Sequence, residues 1–262
     1  MLGIGIYSQF GYSLPFEERL RLIKDAGFDA TVLWWHGDDK HSQPDVTRKI
    51  GLQIDNVHAH FCNPDCLWRD GIDGGDYYNM LISCIEDCSI HNISTAVIHL
   101  TSFEKDVEVT YLGLNRVARI IDFAQKKGVK LAFENTAFIK HLDAVFGCCP
   151  SPNVGFCWDS GHENLWHPDK DCLELYGDRL FALHINDNFG DGDSHILPFD
   201  GTVDWNSKIQ KLKNCKDVKY FTLEVDFNRN HEKCKIYDGL SAREYLASAY
   251  KKASKLIRML RD

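Results

Sequence analysis

The chain repeats one pattern eight times: a short β-branched or apolar run, then a longer stretch with apolar residues at helical spacing. The runs fall at residues 2–7, 30–35, 53–61, 95–100, 129–135, 154–159, 180–186 and 220–226. Helices are expected from Ser13-Leu14-Pro15 to about Ala26, then at 45–50, 77–91, 109–127, 139–146, 169–176, 203–212 and 242–260. Ser13 is read as a cap, Pro15 as a first-turn residue, and Gly27 and Gly128 as stops. The stretches 62–76 and 187–202 read as the longest irregular loops. Strands alternating with helices build a parallel sheet through right-handed crossovers. Eight such units favour closure into a (β/α)8 TIM barrel, a single α/β domain over residues 1–262. The alternative is an open doubly wound sheet, but no G-x-G-x-x-G follows the first run.

Charge narrows the partners. Thirty basic residues against 38 acidic ones give a net charge of -8. No surplus of Lys and Arg is available to displace counterions from phosphates, so nucleic acid and anionic membranes are disfavoured. Residues 1–6 lack the features of a secretory signal, and no run has the length of a membrane span. The expectation is a cytoplasmic protein whose ten cysteines are reduced packing thiols. Cys62/Cys66, Cys84/Cys88 and Cys148-Cys149 lack the C-x2-C spacing of a structural zinc site. Composition leaves homo-oligomerisation open.

The chemistry lies in where polar residues interrupt the apolar runs. Barrel sites are built from the C-terminal ends of strands and the loops that follow. Four successive runs carry a metal-capable residue at or near their C-terminal ends: Glu134, Asp159, His184 and Glu224. Each sits in an otherwise apolar segment, so each is expected to point into the barrel. Converging carboxylates in a dry pocket are costly without a compensating cation. Three carboxylates and one imidazole suit Mn²⁺ foremost, with Zn²⁺ or Co²⁺ as alternatives. His58, His60, His99, His162 and His195 follow the same strand-end rule and supply groups that titrate near neutral pH. Trp68, Trp34 and Phe10 are candidates for an apolar wall, and Arg69 and Arg229 for charges near the mouth.

Glu134, Asp159-Ser160-Gly161-His162, His184-Ile185-Asn186-Asp187, the segment Asp193 to Gly201, and Glu224 resemble the xylose isomerase-like TIM barrels. Within these the chain is similar to the sugar phosphate isomerase/epimerase family. The resemblance implies one metal held by Glu134, Asp159, His184 and Glu224. It also implies that the two glutamates exchange a substrate proton next to a carbonyl, through an enediolate. His58, His99, His162, His195 and Trp68 then contact the substrate. With no Gly-rich phosphate cradle apparent, a neutral sugar or cyclic polyol is favoured over a phosphorylated one.

Two other activities share this framework. A metal-dependent sugar or glycoside lyase, or a dehydratase, would use the same proton abstraction and then expel a leaving group. An endonuclease IV-like phosphodiesterase uses three zinc ions and nine ligands. A candidate for each ligand exists here: His58, His99, Glu134, Asp159, His162, His184, Asp193, His195 and Glu224. Against the nuclease stands the loop 187–202, which contains no Lys or Arg.

Overall fold

The computed structural model describes residues 2–216, 218–227 and 231–262. Eight strands form one parallel sheet: β1 (Gly3–Tyr7), β2 (Ala30–Trp35), β3 (Gln53–Ala59), β4 (Thr95–Ile98), β5 (Lys130–Glu134), β6 (Val154–Asp159), β7 (Leu180–His184) and β8 (Tyr220–Leu223). Their order is β7-β6-β5-β4-β3-β2-β1-β8. The two ends of that order meet through a parallel bridge between Ile185 and Leu223. Ile185 N donates to Thr222 O at 2.9 Å, and Glu224 N donates to Ile185 O at 3.0 Å. The sheet is therefore a closed barrel, as the eightfold repeat implies.

The helices α1 (Phe16–Asp25), α2 (Gln43–Ile50), α3 (Ile72–Ile90), α4 (Tyr111–Lys127), α5 (Lys140–Cys148), α6 (Ser160–Trp166), α7 (Cys172–Tyr176), α8 (Trp205–Leu212) and α9 (Ala242–Arg261) follow the strands. Each long helix buries one apolar stripe. In α9 it is Tyr245, Leu246, Ala249, Ala253, Leu256 and Ile257; in α4 it is Val117, Ile120, Ile121 and Ala124. Ser241 and Glu244 form a capping box at the start of α9. Gly128 ends α4 in the left-handed region. No helix among the described residues is long and apolar enough to cross a membrane.

Three local expectations are corrected. Ser13 does not cap α1; the N-cap is Pro15, with no side-chain cap bond. Its extended backbone (ψ 144°) starts the helix at Phe16 and leaves Ser13 two residues too early. The stretch 62–76 is largely ordered, because Pro64–Trp68 is a 3-10 turn and α3 begins at Ile72 rather than near Tyr77. Gly74 permits this, since a Cβ there would lie 2.4 Å from the Cys66 carbonyl oxygen. Finally, α6 was not expected. Asp159 is at once the last residue of β6 and the side-chain N-cap of α6, so no loop separates them.

Candidate metal centre

Period-two alternation along the strands fixes which residues enter the barrel. Val97, Ala132, Cys157 and Ala182 pack together as a small apolar layer. Two residues further along β4 to β7, on the same inward side, come His99, Glu134, Asp159 and His184. Small side chains beneath leave room for polar ones above. Glu224 joins them directly after β8.

Ligand-capable atoms of Glu134, Asp159, His184 and Glu224 all lie within 4.8 Å of one another. All four residues are at most 7% exposed. His184 Nδ1 is 2.9 Å from Glu224 Oε2 and 3.3 Å from Glu134 Oε2. The four strand-end residues singled out in the sequence thus share one point in space.

Two further groups flank this centre. His58 Nε2 and His99 Nε2 lie 3.4 and 3.1 Å from Glu134 Oε2. On the other side, Asp193 Oδ2 sits 3.4 Å from His162 Nε2 and 3.0 Å from His195 Nε2. His162 Nδ1 approaches Glu134 Oε1 at 3.2 Å, tying this group to the centre. His58/His99/Glu134 and His162/Asp193/His195 each satisfy the distances of a metal-holding triad.

Burial and charge set the protonation pattern. Burial pushes the Asp159 carboxyl up to about 7; the His162 charge opposes this, while Glu134 and Glu224 add to it. Burial also opposes ionisation of Glu224, yet the charge of the adjoining His184 outweighs it and holds the group at about 2. Glu134 is likewise held well below the usual carboxylate range by His184, His99 and His162 despite its burial. His195 rises to about 10 because the Asp193 carboxylate outweighs desolvation.

The donor set fits a cation. Glu134 Oε1, Glu224 Oε2, His99 Nδ1, Asp193 Oδ1 and both ring nitrogens of His184 are buried without an aligned hydrogen-bond partner. Unpartnered polar atoms in a dry interior are costly, and a divalent ion among Glu134, Asp159, His184 and Glu224 would satisfy those of the two glutamates and of His184.

The aromatic surroundings differ from expectation. Trp68 is buried away from the donors: its Nε1 donates to Leu100 O at 2.6 Å, and its ring packs on His141 and on Gly113 of α4. No ring face is left for a substrate there, so Trp68 is not the wall. Phe10 is fully buried against Tyr12 and Tyr245. Trp34 does adjoin the site, 5.2 Å from the His58 ring. Phe61, stacked on His99 at 4.6 Å, and Phe103, 5.1 Å from His162 and stacked on Trp166, complete the rim. Trp34 is the wall candidate that the sequence offers; Phe61 and Phe103 have no spacing in the sequence that marks them as rim residues. His60 stacks on His36 at the rim, outside the donor groups. Arg69 pairs with Asp73 on the surface, and Arg229 lies outside the described residues.

Comparisons with known proteins agree with the fold. The profile of the xylose isomerase-like TIM barrel family matches residues 20–245. The uncharacterized protein y4fM of Sinorhizobium fredii (strain NBRC 101917 / NGR234) is 45% identical over 92 residues, 35% of this chain and 29% of that protein. The matches span less than half the length of the curated relatives. Among solved structures, D-psicose 3-epimerase with D-tagatose from Clostridium cellulolyticum H10 superposes with a TM-score of 0.75 at 14% identity, covering 99% of each chain. The IOLI protein with a binding zinc atom gives 0.76 at 17% identity, covering 98% of each.

Proposed function

The chain belongs to the xylose isomerase-like TIM barrel family, and from that premise we propose that it is a divalent-metal-dependent sugar isomerase or epimerase. The convergence of Glu134 and Glu224, from different strands, on one buried centre with Asp159 and His184 carries the proposal. Pure binding has no need of two such carboxylates.

A divalent cation held by Glu134, Asp159, His184 and Glu224 would supply Lewis-acid polarisation of a substrate carbonyl. Mn²⁺ suits the oxygen-rich set best, with Zn²⁺ or Co²⁺ as alternatives. The chain's own groups do the rest. One glutamate removes the proton from the carbon beside the carbonyl, and the other returns one from a different side. Both are held ionised at rest by their imidazole neighbours, so either can start as the base, and the one that returns a proton must first take one up from solvent or from a neighbouring imidazolium. His162 and His195, oriented by Asp193, donate to substrate hydroxyl oxygens, and His58 and His99 steady Glu134. The rings of Trp34, Phe61 and Phe103 exclude water and cover the apolar face of a small sugar. A neutral ketose or cyclic polyol matches this lining. The D-tagatose printed with the structural neighbour D-psicose 3-epimerase points the same way. The setting is one barrel domain acting in the cytoplasm.

The experiment is turnover of a panel of ketoses and inositol-type ketones in D2O. Deuterium entering a carbon-bound position in the wild type, and its loss in Glu134→Gln and Glu224→Gln, supports the reading. Unchanged turnover in Glu134→Gln removes it.

One observation favours a second reading. The nine donors fall into three groups that could each hold a metal ion, the number of zinc ions in a phosphodiesterase of the endonuclease IV type. Three zinc ions per chain, with cleavage of an abasic-site duplex, would select it.

A further inference from the structure

Both carboxylate oxygens of Asp159, its backbone N–H and its carbonyl are all hydrogen-bonded. Its Oδ1 accepts the His162 backbone N–H at 2.6 Å, and its Oδ2 accepts the Asn186 side-chain amide at 2.7 Å. Its backbone is clasped as well: Asp159 N donates to Asn135 Oδ1 at 2.7 Å, and Asn135 Nδ2 donates to Asp159 O at 2.8 Å. Asn135 directly follows Glu134, and Asn186 lies two residues after His184. The two amides therefore lace together the strand ends that carry three of the four central donors.

Asn186 has the more particular geometry. It is fully buried, and its backbone is fixed by Ser160: Asn186 N donates to Ser160 Oγ at 2.9 Å, and Ser160 Oγ donates to Asn186 O at 2.7 Å. Its Oδ1 has no hydrogen-bond partner. That atom occupies the space a side chain at position 161 would fill, since a Cβ on Gly161 would lie 1.9 Å from it. A buried carbonyl without a donor is destabilising. Turning the amide over would set an oxygen lone pair against the Asp159 carboxylate, which is worse. The orphan oxygen is thus the consequence of aiming the NH2 group at Asp159.

We propose that Asn186 is a positioning residue that fixes the Asp159 carboxylate in its metal-ligating orientation, with Gly161 kept small to admit the amide. This rests on the reading of Asp159 as a ligand. Outer partners of this kind orient a ligand, and losing one typically costs 10- to 100-fold in metal affinity.

The test uses the full chain, stripped of metal and titrated with Mn²⁺ against a competing chelator, together with the visible d–d spectrum of the Co²⁺-loaded protein. Two variants are compared: Asn186→Ala, which removes the amide, and Asn188→Ala, which loosens the same turn by removing the bond to Gly161 O and leaves the Asn186–Asp159 bond in place. Thermal unfolding of the metal-free forms confirms that both fold. The expected result is roughly a 10- to 100-fold loss of Mn²⁺ affinity and an altered Co²⁺ spectrum in Asn186→Ala alone. Wild-type affinity and spectrum in Asn186→Ala, or equal losses in Asn188→Ala, overturn the proposal. A wild type that takes up no divalent ion overturns the metal reading and this role with it.

Discussion

The Asp187 carboxylate accepts the Trp205 indole N–H at 2.9 Å, across the whole of the loop that carries Asp193 and His195. The same carboxylate takes the backbone N–H groups of Asn188, Phe199 and Val203 at 2.9, 3.1 and 3.0 Å. The loop contains two non-glycine residues in the left-handed region, His195 at φ 43° and Phe199 at φ 71°. Such conformations persist only where their surroundings over-determine them. Asp187→Ala leaves four donors without their acceptor, and a loss on the order of 3 kcal/mol is expected. Urea denaturation measures it, and amide exchange should quicken over residues 188–203. Unchanged exchange there would show that the loop is held by something else.

A second prediction concerns the neighbour of His162. Glu163 is fully buried; it accepts from Trp158 Nε1 at 2.9 Å and from Cys172 N at 3.0 Å, and it pairs with Lys208 of α8. Removing one partner of a buried ion pair leaves a charge with no compensation, at a cost of about 3–5 kcal/mol. Lys208→Met should lose that amount in chemical denaturation, and Glu163→Gln combined with Lys208→Met should recover much of it. A Lys208→Met loss below about 1 kcal/mol would contradict the pairing.

At the opposite end of the barrel, Asp55 gives a pH dependence. Burial pushes its carboxyl up to about 6, against the hydrogen bond from Thr222 Oγ1 at 2.7 Å. Because the folded value lies above the unfolded one, the associated stability is complete below about pH 4 and is lost as the pH rises through 6. Asp55→Asn keeps an acceptor for Thr222 and removes the ionisation. It should therefore be more stable than wild type at pH 7.5, with the advantage gone near pH 4. A rise of two pH units corresponds to roughly 3 kcal/mol. Asp55 also borders a cavity of about 270 Å³ lined by Lys130, Lys216 and Lys219, and solvent there reduces the gain to about 1–2 kcal/mol. Paired urea melts at the two pH values decide it; a variant less stable at pH 7.5 would contradict it.

How much of this was legible follows from range. The strands and the four central donors are readable because each donor lies near the C-terminal end of an otherwise apolar run, where a polar residue belongs to the barrel mouth. Glu134, Asp159, His184 and Glu224 need no knowledge of distant contacts. The residues that hold them do. Asn186 bonds Asp159 across 27 positions, and nothing in the loop-like string His184-Ile185-Asn186-Asp187-Asn188 marks which amide matters. The expectation for Trp68 failed for a similar reason. Its placement follows from Gly113, 45 residues on, whose missing side chain opens the hollow that the indole fills. Gly74 hid the start of α3, because a glycine pair reads as a loop until the carbonyl packed against it is known.

The most direct test of the central claim is equilibrium titration of metal-stripped protein with Mn²⁺ and with Zn²⁺, counting bound ions per chain in the wild type and in Glu134→Gln. The expected result is one saturable ion per chain, bound in Glu134→Gln with a loss well beyond the roughly 10- to 100-fold typical of an outer partner. No uptake, or an affinity indifferent to Glu134, would contradict the account. Three zinc ions per chain would transfer it to the phosphodiesterase reading.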